Sequence, residues 1–165
     1  MIIRPYIPNK DFDAIKRWIT DERTHAMWCA FRMPYPLTRE VFDEFLEVEK
    51  AKYNNAAYTA ETDEGNPIGF YCLSTGESEC MLKFVVISPE VRGKGIGRAM
   101  ITSAVKLGFE AAQTNTIGLC VFDCNEAARK CYINAGFKEV SHTDDAFHFK
   151  NEVWGRIYMT NTRVN

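Results

Sequence analysis

The feature that most constrains the fold is a glycine-rich turn between an apolar strand and an amphipathic helix. Residues 80–87 have the composition of a strand, which Ser88 and Pro89 end. A helix after the turn is predicted by apolar or small residues at i, i+3, i+4 and i+7, namely Ile101, Ala104, Val105 and Gly108. The turn itself consists of Arg92, Gly93, Lys94, Gly95, Ile96 and Gly97. The local order is therefore strand, turn, helix.

This turn has the chemistry of a phosphate site. N–H groups at a helix N-terminus can point together at an anion, and glycines let phosphate oxygens approach the backbone. Arg92, Lys94 and Arg98 add cationic partners, so a diphosphate would be bound well. A tight loop with three solvated cations would have the same sequence. The spacing matches neither the dinucleotide fingerprint nor the longer loop of nucleoside triphosphatases.

Short strands and helices are predicted along the rest of the chain. The strands are residues 2–4, 57–61, 68–73, 117–121, 137–140 and 153–159, and the helices are residues 12–19, 38–52 and 126–135. Asp11 or Asn9 could cap the first helix and Thr38 the second, while Gly136 ends the third. Turn-forming residues 62–67 predict a hairpin. The expected fold class is mixed α/β or α+β, with antiparallel pairs early and a strand-helix-strand unit later.

Residues 20–37 have no clear period and are a candidate binding loop. They contain Trp28, Phe31 and Tyr35, which are candidates for contacts with a substrate. The same three aromatic residues could instead form a hydrophobic lid that belongs to the core. Asp21 and Glu22 could attract a cationic amine, although Arg23 beside them offsets part of that field, or could simply be a solvated helix end.

Composition limits the possible partners. With 165 residues, 46% of them apolar, the chain fits a single domain over residues 1–165. A formal charge of −2 offers no bulk positive field for nucleic acid or an anionic membrane, so an anionic ligand must be bound locally. The sequence has no apolar stretch of membrane-helix length and no secretory leader, so we expect a cytoplasmic protein. Six cysteines without zinc spacing predict packing roles and no metal.

The turn and the strand before it resemble the GNAT superfamily of N-acetyltransferases. The coenzyme A loop of that family has the pattern Gln/Arg-x-x-Gly-x-Gly/Ala, which Arg92, Gly95 and Gly97 match. Residues 84–90 are similar to the central strand of the family, whose exposed backbone pairs with the pantetheine arm. The resemblance implies acetyl-coenzyme A as cosubstrate, with contacts at Val85, Val86 and Ile87. It also implies a central, mostly antiparallel twisted sheet, flanked by helices and splayed at the acetyl-coenzyme A site.

A second segment, residues 125–137, is similar to the Asn-x-x-Ala-x-x-x-Tyr-x-x-x-Gly-Phe pattern of the family at every fixed position. Asn125 can cap the following helix, and the resemblance adds a contact with the cofactor. Ala128 is small and could leave room for the cofactor arm. Tyr132 lies two turns beyond Asn125 on the same helix face. The resemblance implies that Tyr132 is the general acid for the departing thiolate, and core packing is the alternative.

The general base is less well defined. Many relatives carry a glutamate early in the central strand, where this chain has Met81. Glu79, two residues earlier, has the same side-chain parity on an extended strand and is the candidate substitute, unless it is a solvated loop carboxylate. His25, His142 and His148 are other conceivable bases without a supporting motif.

The resemblance implies direct acetyl transfer to an amine. The acceptor, a small molecule or a peptide, is not determined by any motif in residues 20–37 or near the C-terminus. Homodimers occur in the family and are possible here. A coenzyme A-binding sensor without catalysis would share the same fold, and Tyr132 is the residue that favours chemistry.

Overall fold

The computed structural model describes residues 1–75, 80–112 and 114–163. In chain order, the elements are β1 (Ile2–Pro5), α1 (Pro8–Trp18), α2 (Glu22–Cys29), α3 (Arg39–Tyr53), β2 (Asn55–Glu61), β3 (Pro67–Thr75), β4 (Cys80–Ile87), a 3₁₀ turn (Pro89–Val91), α4 (Ile96–Ala111), β5 (Thr116–Phe122), α5 (Glu126–Asn134), β6 (Lys138–Phe149) and β7 (Glu152–Thr162). Within the described residues, no helix is long and apolar enough to span a membrane.

The strands form one sheet in the order β1-β2-β3-β4-β5-β7-β6. All neighbours are antiparallel except β4 and β5, which are parallel and connected through α4. This arrangement confirms the predicted mixed α/β class, with antiparallel pairs early and one strand-helix-strand unit. A parallel pair needs such a crossover because its strands run in the same direction.

Each face of the sheet carries its own apolar cluster. One cluster contains the predicted stripe of α4, with Ile101 and Ala104 at 1% and 0% exposure, together with Tyr132 and Phe137. The cluster on the other face joins α1 and α3 to the sheet through side chains such as Phe42. Helices α4 and α5 therefore lie on one face, and α1 to α3 on the other. This two-sided cover explains why β3 is buried along nearly its whole length.

Strand β4 contains a β-bulge, and near it β4 diverges from β5. Along the β3–β4 ladder, Phe70 pairs with Val86 and Cys72 pairs with Lys83, so β4 has one extra residue in the intervening interval. Phe84 within that interval has φ of 52°, in the left-handed region. On its other side, β4 pairs with β5 only through Cys80 and Met81. The sheet is consequently splayed between these strands, as the resemblance implied.

The first helix begins earlier than expected, at Pro8. Its N-cap is Ile7, which offers no side-chain hydrogen bond, so the prediction that Asp11 or Asn9 caps the helix was wrong. Proline favours the first helical position because its missing N–H would have no partner there. Asp11 still serves the helix start, since its Oδ2 accepts a hydrogen bond from the Ile7 backbone N–H at 2.8 Å.

One helix was missed in the sequence, and one strand was predicted too short. Residues 22–29 form α2, capped by Asp21, whose Oδ1 accepts from the Thr24 N–H at 2.8 Å. The helix was hidden because its buried residues are few and include a histidine, His25, so the apolar period is weak. Strand β6 continues to Phe149 instead of ending at residue 140. Most of β6 is exposed, which removes the apolar alternation on which strand prediction depends.

Other predicted boundaries are confirmed. Thr38 and Asn125 cap α3 and α5 through side-chain hydrogen bonds to the N–H groups of Val41 and Ala128. The hairpin joins β2 and β3. Gly136 follows α5 with φ of 94°, a conformation that glycine adopts without steric cost.

A buried ionic network attaches α1 to the edge of the sheet. The Asp11 carboxylate is fully buried and accepts from Arg4 Nη1 and Nη2 at 2.7 Å each and from Thr59 Oγ1 at 2.9 Å. Arg4 Nε donates to Glu61 at 2.7 Å. Burial alone would raise the pKa of Asp11, but the hydrogen bonds from Arg4, Ile7 and Thr59 outweigh it and hold the pKa below its ordinary value.

We predict that Asp11→Asn lowers the free energy of unfolding at pH 7 by about 3 kcal/mol, because Arg4 would lose its main buried counterion. Asp11→Asn should also reduce the loss of stability that the wild-type protein shows as pH falls into the acid range. A depressed folded-state pKa contributes stability above the unfolded-state value of about 3.9, and this stability is lost as pH falls through the folded-state value. Urea unfolding at several pH values checks both effects. Asp13→Asn, on the exposed face of the same helix, is the control; an equal loss in both variants contradicts the role of the network.

Candidate functional site

A cavity of about 1000 Å³ occupies the gap between β4 and β5. Its walls come from α2, β4, the glycine turn, α4, β5, α5 and the β6–β7 hairpin. It therefore reaches both faces of the sheet. A cleft beside the carboxyl end of a parallel strand is a common ligand site in open α/β sheets, since loops and a helix N-terminus meet there.

The glycine turn forms one end of this cavity. Gly93 and Gly95 have φ of 75° and 78°, and a Cβ added to either would meet no atom within 4 Å. Gly95 is the N-cap of α4 and supplies no side-chain acceptor, and the first intrahelical bond runs from Ala99 N–H to the Gly95 carbonyl. The N–H groups of residues 96–98 therefore lack intrahelical acceptors. Such groups can bind an anion with the N-terminal end of the helix dipole.

Gly97 has a different role. A Cβ at this position would lie 3.3 Å from Cys131 Sγ and 3.7 Å from Ile87 Cγ1. The absent side chain lets the start of α4 pack closely against α5 and the end of β4.

Positive charge surrounds the turn. Arg92, Arg98 and Lys130 line this part of the cavity, and Arg92 is oriented by hydrogen bonds from its Nε and Nη2 to the Ile87 carbonyl at 3.2 and 3.1 Å. Lys94 instead donates to the Glu90 carbonyl at 3.1 Å. Lys94 and Ile96, both predicted to contact the cofactor, are not among the lining residues.

The central strand presents free backbone to the cavity. Val85, Val86 and Ile87, which were predicted to contact the cofactor, all line the cavity and lie beyond the two residues of β4 that pair with β5. The bulge is supported from α2, because Trp28 Nε1 donates to the Phe84 carbonyl at 2.8 Å. The backbone groups of β4 that have no partner in β5 are thus available to a ligand, apart from the Ile87 carbonyl, which already accepts from Arg92.

Helix α5 supplies the opposite wall. Asn125, Ala128 and Tyr132 all line the cavity, so the structure brings the second motif next to the glycine turn. Tyr132 is 7% exposed, and its ring packs edge-on against Phe137 at 6.1 Å between centroids. Burial raises the pKa of Tyr132 above its ordinary value. Its hydroxyl consequently stays protonated at neutral pH and can act as a proton donor.

The three aromatic candidates in residues 20–37 lie in two different environments. Trp28 lines the cavity, whereas Phe31 and Tyr35 are outside its lining. Their rings pack around the buried His25, with centroid distances of 5.7 and 5.4 Å. Phe31 also stacks on Phe149 at 6.1 Å. These contacts favour packing over substrate contact for Phe31 and Tyr35.

No candidate base lies among the described residues that line the cavity. Glu79 lies outside the described residues. His25, His142 and His148 are not among the lining residues, and burial lowers the pKa of His25. His142 instead lies between Asp123 and Asp144, at 3.4 and 3.3 Å.

Several lining residues were not anticipated from the sequence. Met27, Phe122, Phe147 and Arg156 come from α2, β5 and the β6–β7 hairpin, and the cavity brings them together. No motif connects positions so far apart in the chain. The Asp21 to Thr24 capping spacing was the one local signal that could have revealed α2 and its wall.

The described parts of the chain contain no disulfide and no cluster of metal-ligating side chains. Cys29, Cys72, Cys124 and Cys131 are free thiols, and Cys29, Cys72 and Cys80 are buried. No group of three or more histidine, cysteine, aspartate or glutamate side chains there could hold a metal ion.

Comparison with known proteins agrees with this geometry. Residues 13–137 match the acetyltransferase (GNAT) family. An uncharacterized N-acetyltransferase of Methanocaldococcus jannaschii is 31% identical over 139 residues, which cover 84% of this chain and 79% of the relative. The Vibrio cholerae spermidine N-acetyltransferase in complex with CoA and spermine superposes with a TM-score of 0.80 at 22% identity, covering 98% of this chain and 94% of that one.

A second structure, ribosomal-protein-alanine N-acetyltransferase from Brucella melitensis, has a TM-score of 0.79 at 18% identity and covers 99% of this chain and 100% of that one. The two solved structures share the fold, and the family match covers both the glycine turn and α5. The chain is therefore a member of the GNAT family of N-acetyltransferases.

Proposed function

We propose that this enzyme transfers an acetyl group from acetyl-coenzyme A to the amine of a small molecule or peptide by direct attack. The observation that carries the proposal is the splayed β4–β5 gap, with an anion-binding turn at one end and a buried tyrosine beside it. Family membership supports acetyl-coenzyme A as cosubstrate. A structural relative was solved with CoA and spermine, which supports a small amine as acceptor.

The lining residues favour one orientation for the cofactor in the proposed complex. Its diphosphate would be held by the free N–H groups of residues 96–98, with Arg92 and Arg98 supplying charge. Its pantetheine arm would run along the unpaired backbone of β4 at Val85 to Ile87, in the manner of an added strand. Ala128 and Asn125 would border the arm from α5.

Different groups of the chain would then assist different steps of the reaction. Backbone N–H groups of β4 would stabilise the negative charge that develops on the thioester oxygen while the neutral amine attacks the carbonyl carbon. As the C–S bond breaks, Tyr132 would donate its proton to the departing thiolate sulfur. Holding amine and thioester together in one cleft supplies a further part of the acceleration. This route uses no cysteine nucleophile.

The proton leaving the amine needs an acceptor. The described cavity lining contains neither a carboxylate nor a histidine. Glu79 stays our proposed base, because it immediately precedes β4 in the chain and would have the side-chain parity of Met81, a lining residue, on an extended strand.

Acetyl-coenzyme A binding is tested by Gly95→Val. A β-branched residue is strained at φ near 78° and would place bulk where phosphate oxygens approach the N-terminus of α4. Calorimetry with coenzyme A should show a loss in affinity of about tenfold or more, equivalent to ~1.4 kcal/mol. Gly65→Val is the matched control, since Gly65 has φ of 84° in the β2–β3 turn outside the cavity lining. Equal affinity of the two variants would remove the turn from the binding site.

The general acid is tested by Tyr132→Phe, which keeps the ring and its packing on Phe137 while deleting the donor. Coenzyme A binding should survive, and turnover should fall by roughly 10²- to 10⁴-fold. Because burial raises the pKa of Tyr132, no activity loss from its deprotonation is expected below the ordinary value of about 10. Tyr35→Phe, outside the cavity lining, controls for loss of a tyrosine hydroxyl. A normal rate in Tyr132→Phe, measured where chemistry limits turnover, would leave Tyr132 as a packing residue.

The proposed base is tested by Glu79→Gln, which should lower turnover by about 10²-fold or more and remove the acid limb of the pH profile. A carboxylate base is active above its pKa, so activity of the wild-type enzyme should fall as that group protonates. Glu77→Gln removes a neighbouring charge and serves as control. If both variants turn over normally with the same pH profile as wild type, Glu79 is not the base.

A further inference from the structure

The cavity has a second half whose chemistry the cofactor does not use. We define this amine half by Met27, Trp28, Phe122, Phe147 and Arg156, all lining residues. Phe122 and Arg156 are directly opposed in the β5–β7 ladder, so both side chains project from the same face of the sheet. Rings on that face pack against α2, which places the amine half on the opposite face from α4 and α5.

The walls of the amine half are apolar and aromatic. Phe122 and Phe147 pack with centroids 5.2 Å apart, and each packs on Trp154, at 5.2 and 5.3 Å. Met27 packs against the same cluster. This surface suits the carbon skeleton of a small amine and gives little hydrogen bonding of its own.

Positively charged side chains outnumber negatively charged ones among the described residues around the amine half. Arg23 is neutralised by Glu152, with Nε and Nη2 each 2.8 Å from a carboxylate oxygen. Arg32 and Lys83 share a single buried carboxylate, that of Glu49, so these two lining cations have one anion between them. Arg32, Lys83 and Glu49 together therefore carry a net positive charge next to β4.

Within the amine half, Arg156 has no counterion among the described residues. Its guanidinium forms no ion pair or hydrogen bond with any described residue, although it lines the cavity beside Phe122. The planar fork of arginine matches a carboxylate with two parallel hydrogen bonds. Among the described lining residues there are seven arginines or lysines and no aspartate or glutamate. A polycationic acceptor would meet repulsion here, whereas an anionic group would be attracted.

We propose that the acceptor carries a carboxylate in addition to its amine, and that Arg156 binds this carboxylate while the amine reaches the thioester. This inference rests on the proposed function and names the substrate class of the same site. The positive surroundings serve the reaction as well. Nearby cations disfavour the charged form of an amine, so they increase the neutral fraction that can attack.

The test compares acids with their own amides. β-Alanine and the dipeptide alanyl-phenylalanine are assayed as free acids and as carboxamides, with spermidine as a cationic acceptor, by release of coenzyme A thiol. We expect kcat/KM for each acid to exceed that for its amide and for spermidine by at least about tenfold. Arg156→Gln should lower kcat/KM for the acids by about 10- to 100-fold and leave the amides unchanged. Arg156→Lys should restore part of the preference because it keeps the charge.

Arg17→Gln is the matched control, since Arg17 is an exposed arginine on α1 outside the cavity lining. Thermal unfolding checks that each variant is folded. Faster acetylation of spermidine or of the amides overturns the inference but leaves amine acetylation standing, and so does an equal effect of Arg156→Gln on acids and amides.

A binding measurement separates the inference from the proposed function. If no amine in the panel releases thiol, amine acetylation fails for these acceptors, and calorimetry then titrates N-acetyl-alanyl-phenylalanine and its amide into the protein saturated with coenzyme A. Binding of the acid that is weakened by Arg156→Gln and by added salt supports the carboxylate site. Equal binding of acid and amide, or no binding of either, overturns it.

Discussion

The functional architecture depends on one interruption of hydrogen bonding, the bulge of β4 at Phe84. An extra residue there interrupts the ladder with β3, which resumes at Val86 and Ile87, and beyond Met81 the strand has no partner in β5. A buried strand with unpaired N–H and carbonyl groups is costly unless a ligand or water satisfies them. The interruption thus creates both the space and the free backbone of the site. Trp28 contributes directly, because its indole N–H satisfies the Phe84 carbonyl that the bulge turns toward α2.

Because the gap passes through the sheet, the two sides of the cavity meet different surroundings. On the side of α4 and α5 lie the helix N-terminus at Gly95 and the cations Arg92 and Arg98, which would form the proposed anion site. On the side of α2, aromatic rings and Arg156 form a surface with little hydrogen bonding. A thioester lying in the gap would be accessible from the second side while its nucleotide is held on the first. The two substrates would therefore approach the reacting carbon from opposite faces of the sheet, and neither would block the other.

Two buried titratable residues, Asp11 and Tyr132, have net pKa shifts of opposite sign although burial alone would raise the pKa of both. Asp11 is charged inside the protein because Arg4 and two further donors surround its carboxylate, and its pKa is lowered despite burial. Tyr132 has no cation near it, so burial raises its pKa and retains the phenolic proton. The same desolvation penalises the ionised form of both residues. The hydrogen-bond donors decide that Asp11 stabilises the fold while Tyr132 remains a proton donor.

The sequence by itself determined the elements whose signals are local. The glycine turn, the α4 stripe, the Asn125 cap and Gly136 depend on a few neighbouring residues, and together with the family resemblance they identified the fold and the phosphate end of the site. Only the tertiary structure decided what lies across the gap. The weak period of α2 and the exposed face of β6 concealed both elements, and Arg156 is ordinary in sequence until its sheet register places it beside Phe122. That no described residue pairs with Arg156 is a property of the folded chain, because ion pairing depends on distances between residues far apart in sequence.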